Sequence, residues 1–277
     1  MNSMKKTAVV SGGFDDIRSA DIRFIEEAAK YGRLHVLLWD DCLLKSVTGK
    51  EPKFPVEERL YYLEAIRYIK QVHIIAGEQS THVLPKTEGL QPDVWVQRDE
   101  EDTEAKRSWC RQNGIEYRVI AEQKLAGFPD VAELTRDPAT GRKKVLVTGC
   151  FDWFHTGHIR FFEEVSELGD LYVVLGHDAN IRHLKGDKHP MFNQDQRRYI
   201  VQSIRYVHRA LISTGHGWLD AEPELLRIKP DMYAVNEDGD KPIKRQYCRE
   251  NGIEYVVLRR IPKEGLPTRT STDLRGH

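Results

Sequence analysis

The stretch VTGCFDWFHTGH, residues 147–158, sets His155 and His158 three positions apart with Gly157 between them. An apolar, β-branched run, KVLVTG, precedes it, and a stretch of helical periodicity follows. Both imidazoles therefore fall at a strand–turn–helix junction. The free N–H groups of a helix's first turn, and its dipole, favour an anion there. Gly157 carries no Cβ and lets a ligand come close to the backbone. Two imidazoles converging at such a turn can donate hydrogen bonds to phosphate oxygens. Two plainer chemistries compete. The pair could be ordinary surface or capping histidines, or two ligands of a zinc ion, although no third ligand is evident.

The elements that must position these histidines occur twice. VSGGFDDIRSAD (10–21) repeats the frame of the histidine stretch, with Phe14 opposite Phe151, Arg18 opposite His155 and Asp21 opposite His158. LHVLLWDD (34–41) reads against LYVVLGHD (171–178), EERLYYLEAIRYI (57–69) against DQRRYIVQSIRYV (195–207), and CRQNGIEYRVI (110–120) against CRENGIEYVVL (248–258). Such self-similarity predicts two homologous domains, 1–136 and 143–277, joined by the polar segment TRDPATGRKK. In each half β-branched strands alternate with helical stretches. The first helix is expected to close at a C-capping glycine, Gly32 or Gly169. This order predicts an α/β fold of two tandem Rossmann-like domains, each a parallel sheet with helices on both faces. Ligands of such sheets bind beyond the carboxyl ends of the strands, where the histidine turn lies.

Composition narrows the function classes. The 277 residues carry 42 basic and 43 acidic side chains, a net charge of −1, so there is no general electrostatic reason to bind nucleic acid or an anionic membrane. No apolar run approaches the roughly 20 residues of a membrane span, and no signal peptide is evident at the N-terminus. Cys42, Cys110, Cys150 and Cys248 form no CxxC pair. Reduced thiols and a cytoplasmic protein are the expectation. Cys110 and Cys248 are repeat-equivalent, which argues for buried scaffold. Neither turn shows GxGxxG, which disfavours a dinucleotide oxidoreductase.

GCFDWFHTGH resembles the GxFDxxHxGH signature of the cytidylyltransferase-like nucleotidyltransferases. That superfamily includes cytidylyltransferases for glycerol 3-phosphate, choline phosphate and ethanolamine phosphate, and heptose-phosphate adenylyltransferases. LKGDKHPMFNQDQR (184–197) resembles the family's Lys-Gly, Pro, Arg segment, VNEDGDK (235–241) its late acidic loop, and PTRTSTDLR (267–275), lacking a Gly-Ile, its closing element. The resemblance implies transfer of a nucleoside monophosphate to a phosphorylated acceptor, with pyrophosphate released. It implies His155, His158 and Lys185 as catalytic residues. It further implies nucleotide contacts from Gly149, Cys150, Phe151, Asp152, Gly157, Arg197, Glu237, Arg269, Thr270, Ser271 and Thr272. Arg197 or Arg269 would take the β- and γ-phosphates, bidentately. Magnesium would ride mainly on the triphosphate. Asp152 could equally orient the turn. His177, His183 and His189 read mostly as loop residues, and Trp218 as either core or substrate-facing.

The tandem arrangement is similar to that of ethanolamine-phosphate cytidylyltransferase and favours CTP. HDANIRHLKG and IKPD are similar to heptose-phosphate adenylyltransferases and keep ATP as the alternative. The resemblance implies a phospho-alcohol or sugar phosphate as acceptor, and the sequence does not say which. A non-catalytic, nucleotide-binding regulator is the rival class. The two domains are expected to pair as an intramolecular pseudo-dimer, with a homodimer of whole chains also open. The first domain reads as degenerate: besides Arg18 and Asp21, Thr48 stands opposite Lys185, and Val131, Ala132, Glu133 and Leu134 opposite Arg269–Thr272.

Overall fold

The computed structural model describes residues 6–77, 80–129, 140–271 and 274. The chain divides into two compact units, Met1–Gly127 and Phe128–His277.

In the first unit, β1 (Thr7–Gly12) leads into α1 (Ser19–Ala29), β2 (Arg33–Trp39), α2 (Asp41–Thr48), α3 (Val56–Ala65) and β3 (Ile69–Ile75). Then come β4 (Val94–Arg98), α4 (Glu104–Asn113) and β5 (Glu116–Ile120). The second unit repeats the order with β6 (Lys144–Gly149), α5 (Thr156–Leu168), β7 (Asp170–Leu175), α6 (Asp178–Lys185), α7 (Gln194–Ser203) and β8 (Val207–Ile212). It continues through α8 (Glu222–Ile228), β9 (Met232–Asn236), α9 (Pro242–Glu250) and β10 (Glu254–Leu258). The described residues between β3 and β4 contain no counterpart of α8.

The two sheets run β3-β2-β1-β4-β5 and β8-β7-β6-β9-β10, all neighbours parallel. The central strands have no solvent-facing side. Ala8, Val9 and Val10 in β1, and Val145, Leu146 and Val147 in β6, are fully buried. That explains their unbroken apolar runs. Each large aliphatic buried this way contributes about 1.5–3 kcal/mol. Chain order reverses at β1 and at β6, and the crevice beyond their carboxyl ends is the expected ligand site.

The capping expectation holds at Gly169, the C-cap of α5, in an extended conformation, and is corrected at Gly32, since α1 ends on Lys30. A Cβ at Gly32 or Gly169 would lie 2.2 Å from the carbonyl oxygen of Lys6 or Lys143. Close backbone approach, not the cap, requires these glycines.

Candidate active site

The turn after β6 is built around its own side chains. His155 is the N-cap of α5, and its Nδ1 accepts the Gly157 N–H at 3.1 Å. His158 Nδ1 accepts the His155 N–H at 3.4 Å. An Nδ1 that accepts must be unprotonated, so each neutral ring carries its proton on Nε2. The rings lie 4.0 Å apart, and Phe154 stacks on His158 at 5.3 Å. A Cβ at Gly157 would meet His155 Cε1 at 2.9 Å and Nδ1 at 3.0 Å, so only glycine leaves His155 this position.

Gly157 and His158 open onto a cavity of about 230 Å³, also lined by Gly149, Cys150, Phe151, Asp152, Lys185 and Ser271, whereas His155 is buried beside it and is not part of its lining. Lys185, the exposed last residue of α6, brings an ammonium to its edge. Burial holds His158 well below the usual histidine range, and the charges of His155, Arg260 and Lys185 push the same way. His158 is therefore a neutral imidazole at pH 7 in the free protein. A neutral Nε2–H donor, a lysine and an arginine around a helix N-terminus suit a phosphate chain.

Sequence reading did not single out Arg260, Asn236, Asp238 or Lys244, which also line the cavity. Arg260 lies two residues beyond the end of β10. Its Nη1 donates to Asp238 Oδ2 at 2.6 Å and its Nη2 to the Arg269 carbonyl at 2.9 Å. Its repeat partner in the first unit is Glu122, and that charge reversal was the signal available in the sequence. Glu237 is exposed; its Oε1 accepts the Arg260 N–H at 3.3 Å, and its neighbours Asn236 and Asp238 line the cavity in its place.

The structure does not bring Arg197 to the cavity. Its side chain is fully buried, and it donates to the carbonyls of Phe192, Cys150 and Gly176 and to Asp178 Oδ1 at 2.7–3.0 Å. Arg59 makes the matching bonds in the first unit, to Phe54, Gly13, Trp39 and Asp41. Arg197 is a strut that ties the turn to the following strand end, and its reading as a phosphate ligand is corrected on that ground. Asp152 is likewise an orienting residue, with Oδ1 accepting from Met191 and Phe192 N–H at 2.8 and 3.0 Å, as Asp15 does from Lys53 and Phe54.

In the closing element, the Arg269 carbonyl faces Gly157, and Ser271 Oγ donates to the Trp153 carbonyl at 3.2 Å. Thr270 accepts the Leu274 N–H through its carbonyl at 3.3 Å. Thr272 lies outside the described residues, as do Val131–Leu134 of the first copy. His177 caps α6 and bonds to the Gly215 carbonyl, a loop role. His183 is exposed, and His189 lies 3.8 Å from Asp152. Trp218 is half exposed and outside the cavity lining. Cys110 and Cys248 are buried, and burial pushes both thiols up to about 11. Among the described residues no group of three or more His, Cys, Asp or Glu could hold a metal ion, and no helix is long and apolar enough to cross a membrane.

Residues 146–272 match the cytidylyltransferase-like family model. A FAD synthase from Ferroglobus placidus is 35% identical over 125 residues, 44% of this chain and 78% of that protein. The bifunctional protein HldE of Campylobacter concisus is 34% identical over 119 residues, 42% of this chain but 24% of its own length. A lipopolysaccharide core biosynthesis protein of solved structure, from Thermoplasma volcanium, aligns at 26% identity over 45% of this chain and all of its own, with a TM-score of 0.38, too low to bear on the fold. With a relative matched over most of its length, and the histidine turn formed at the sheet's switch point, the chain belongs to the cytidylyltransferase-like nucleotidyltransferases.

Proposed function

We propose that the second unit transfers AMP from ATP to a phosphorylated small molecule and releases pyrophosphate. The observation that carries the transfer is the Nδ1-anchored His158, which shares one cavity with Lys185 and Arg260 while the anchored His155 ring packs 4.0 Å from it. An oxygen of the acceptor phosphate attacks the α-phosphorus, and the bond from that phosphorus to the bridging oxygen of pyrophosphate breaks. The attacking oxygen is already anionic, so no general base is needed. The protein's part is to align the two phosphates and neutralise charge on the α-phosphoryl oxygens and the leaving group. His155 and His158 suit the α- and β-phosphates, and Arg260 and Lys185 the leaving pyrophosphate. A Mg²⁺ ion carried on the triphosphate would take mainly phosphate and water oxygens and add further neutralisation.

The base is read from the relatives. The sequence alone favours CTP. Relatives named FAD synthase, whose product contains an adenylate joined to a flavin phosphate, shift the reading to ATP with a flavin or sugar phosphate as acceptor. A pyrophosphate-release screen tests this. Four triphosphates are run against flavin mononucleotide, sugar phosphates and phospho-alcohols. Release with ATP supports the proposal, release with CTP alone restores the cytidylyl reading, and triphosphate binding without release indicates a regulator.

For the first unit, the proposal is a scaffold that binds no triphosphate. Asp21 occupies the place of His158 and pairs with Arg98 at 2.8 Å, and Arg18 pairs with Asp16 at 2.6 Å. A carboxylate thus stands in the place of His158, and the arginine in the place of His155 is paired with another. Nucleotide titration into His155→Ala/His158→Ala checks this, and a remaining Mg²⁺-dependent triphosphate site would overturn it.

A further inference from the structure

We infer that Glu163 is a positioning residue for the nucleotide site: from the middle of α5 it fastens the segment that follows β10 and keeps Arg260 at the cavity. Its Oε1 accepts from Lys263 Nζ at 2.9 Å, three residues beyond Arg260, and lies 3.5 Å from the Tyr206 hydroxyl. Its Oε2 takes Arg160 at 2.9 Å, and Arg160 also pairs with Glu164 at 2.6 Å. The Glu163 side chain is only 17% exposed, so the pair with Lys263 is partly shielded from solvent.

The fastened segment then arches over the start of α5. The Arg269 carbonyl, held by Arg260 Nη2, comes within 3.5 Å of the Cβ position at Gly157, and Ser271 bonds Trp153. The first copy fastens the same segment from the same helix, but through Arg23, which stands opposite Arg160 rather than Glu163. Arg23, pinned by Glu26 and Glu27, donates to the Lys124 carbonyl at 3.1 Å. The fastening is thus present in the copy that has lost the phosphate residues, which makes it a feature of the fold that the active copy exploits.

A segment that is seated only part of the time reduces apparent affinity by the seated fraction, while nucleotide that has bound meets a complete site. The inference rests on the nucleotidyl-transfer reading and predicts a split in the kinetic constants. Glu163→Gln should raise KM for the triphosphate about tenfold and leave kcat within about twofold. Lys263→Gln should do the same, and the double variant should be no worse than either single one. Trypsin should cut after Arg260 faster in Glu163→Gln than in wild type, and Mg²⁺–triphosphate should restore protection. If wild type releases no pyrophosphate with any triphosphate and acceptor, the transfer reading fails. If wild type turns over, and folded Glu163→Gln keeps both the wild-type KM and the wild-type tryptic rate, this inference alone fails, as it does if kcat falls with KM unchanged. Should Glu163→Gln not fold, Lys263→Gln decides, and a wild-type KM there overturns the inference.

Discussion

At the helix start of the first unit, Asp21 accepts the Arg18 N–H at 2.7 Å and holds Arg98. At the same place in the second unit, His158 accepts the His155 N–H and faces a cavity with Arg260 and Lys185. The backbone device is identical: the third helical residue reaches back to the N-cap amide. A carboxylate in that role satisfies the amide but repels phosphate, whereas an imidazole satisfies it and keeps an N–H for a ligand. Burial raises the Asp21 carboxyl above its usual range and lowers the His158 imidazole, because in both cases it penalises the charged form. The two copies thus separate what the fold needs at this turn from what the chemistry adds.

The sharpest way to break this contrast is to write the first copy's residue into the second. His158→Asp should preserve the N-terminal cap and cost turnover on the order of 100- to 1,000-fold, through a lost donor and an added repulsion. Steady-state pyrophosphate release within a few-fold of wild type would disprove the assignment. Next in size is the arginine strut. Arg59→Met and Arg197→Met should each destabilise their unit by about 3 kcal/mol, since each leaves buried acceptors and a carboxylate without their cation. Denaturant unfolding reads this directly, and an Arg197→Met protein of wild-type stability but weakened nucleotide binding would return Arg197 to the ligand set.

Smaller effects sharpen the comparison. Gly157→Ala pushes the His155 ring aside and should lower kcat/KM about tenfold. Ala20→Gly, the reverse change in the first unit, should leave activity unaltered. The least effect concerns pH. His158 has a lowered pKa in the folded protein, so below about pH 6.5 the unfolded chain takes up a proton that the folded one refuses. Stability should therefore fall as pH drops below that value, by at most about 1.4 kcal/mol per pH unit, and the decline should be shallower in His158→Gln. Equal slopes in the two proteins would show that His158 is not the titrating group.

Much of this was legible because it is local. The repeat, the alternating strands and helices, and the histidine turn are patterns of neighbouring residues. What escaped was non-local. Arg260 shares a cavity with His158 because β10 ends beside the crevice, and there it also bonds Asp238. Arg197 and Arg260 are the same residue type near the same motif family. Only the fold shows that one guanidinium is closed off by four acceptors while the other lines a cavity. Arg269 was read as a side chain, yet its carbonyl is what faces Gly157.

The turn before the histidines carries one more consequence. Phe151 adopts φ 51° and Phe14 φ 47°, and each ring folds back over the glycine two residues earlier. A Cβ at Gly149 would strike the Phe151 ring at 2.8 Å, so an alanine there is admissible only once the ring has gone. Losing the ring first leaves a strained backbone with nothing packed above it. Either single step passes through a poorer protein, whereas exchanging a histidine for an aspartate takes one step and leaves the fold intact. Gly149 and Phe151 are thus trapped behind a mutational valley, Gly12 and Phe14, where the Cβ would stand 3.3 Å from the ring, behind a shallower one, and a duplicated copy can lose its chemistry while its turn persists.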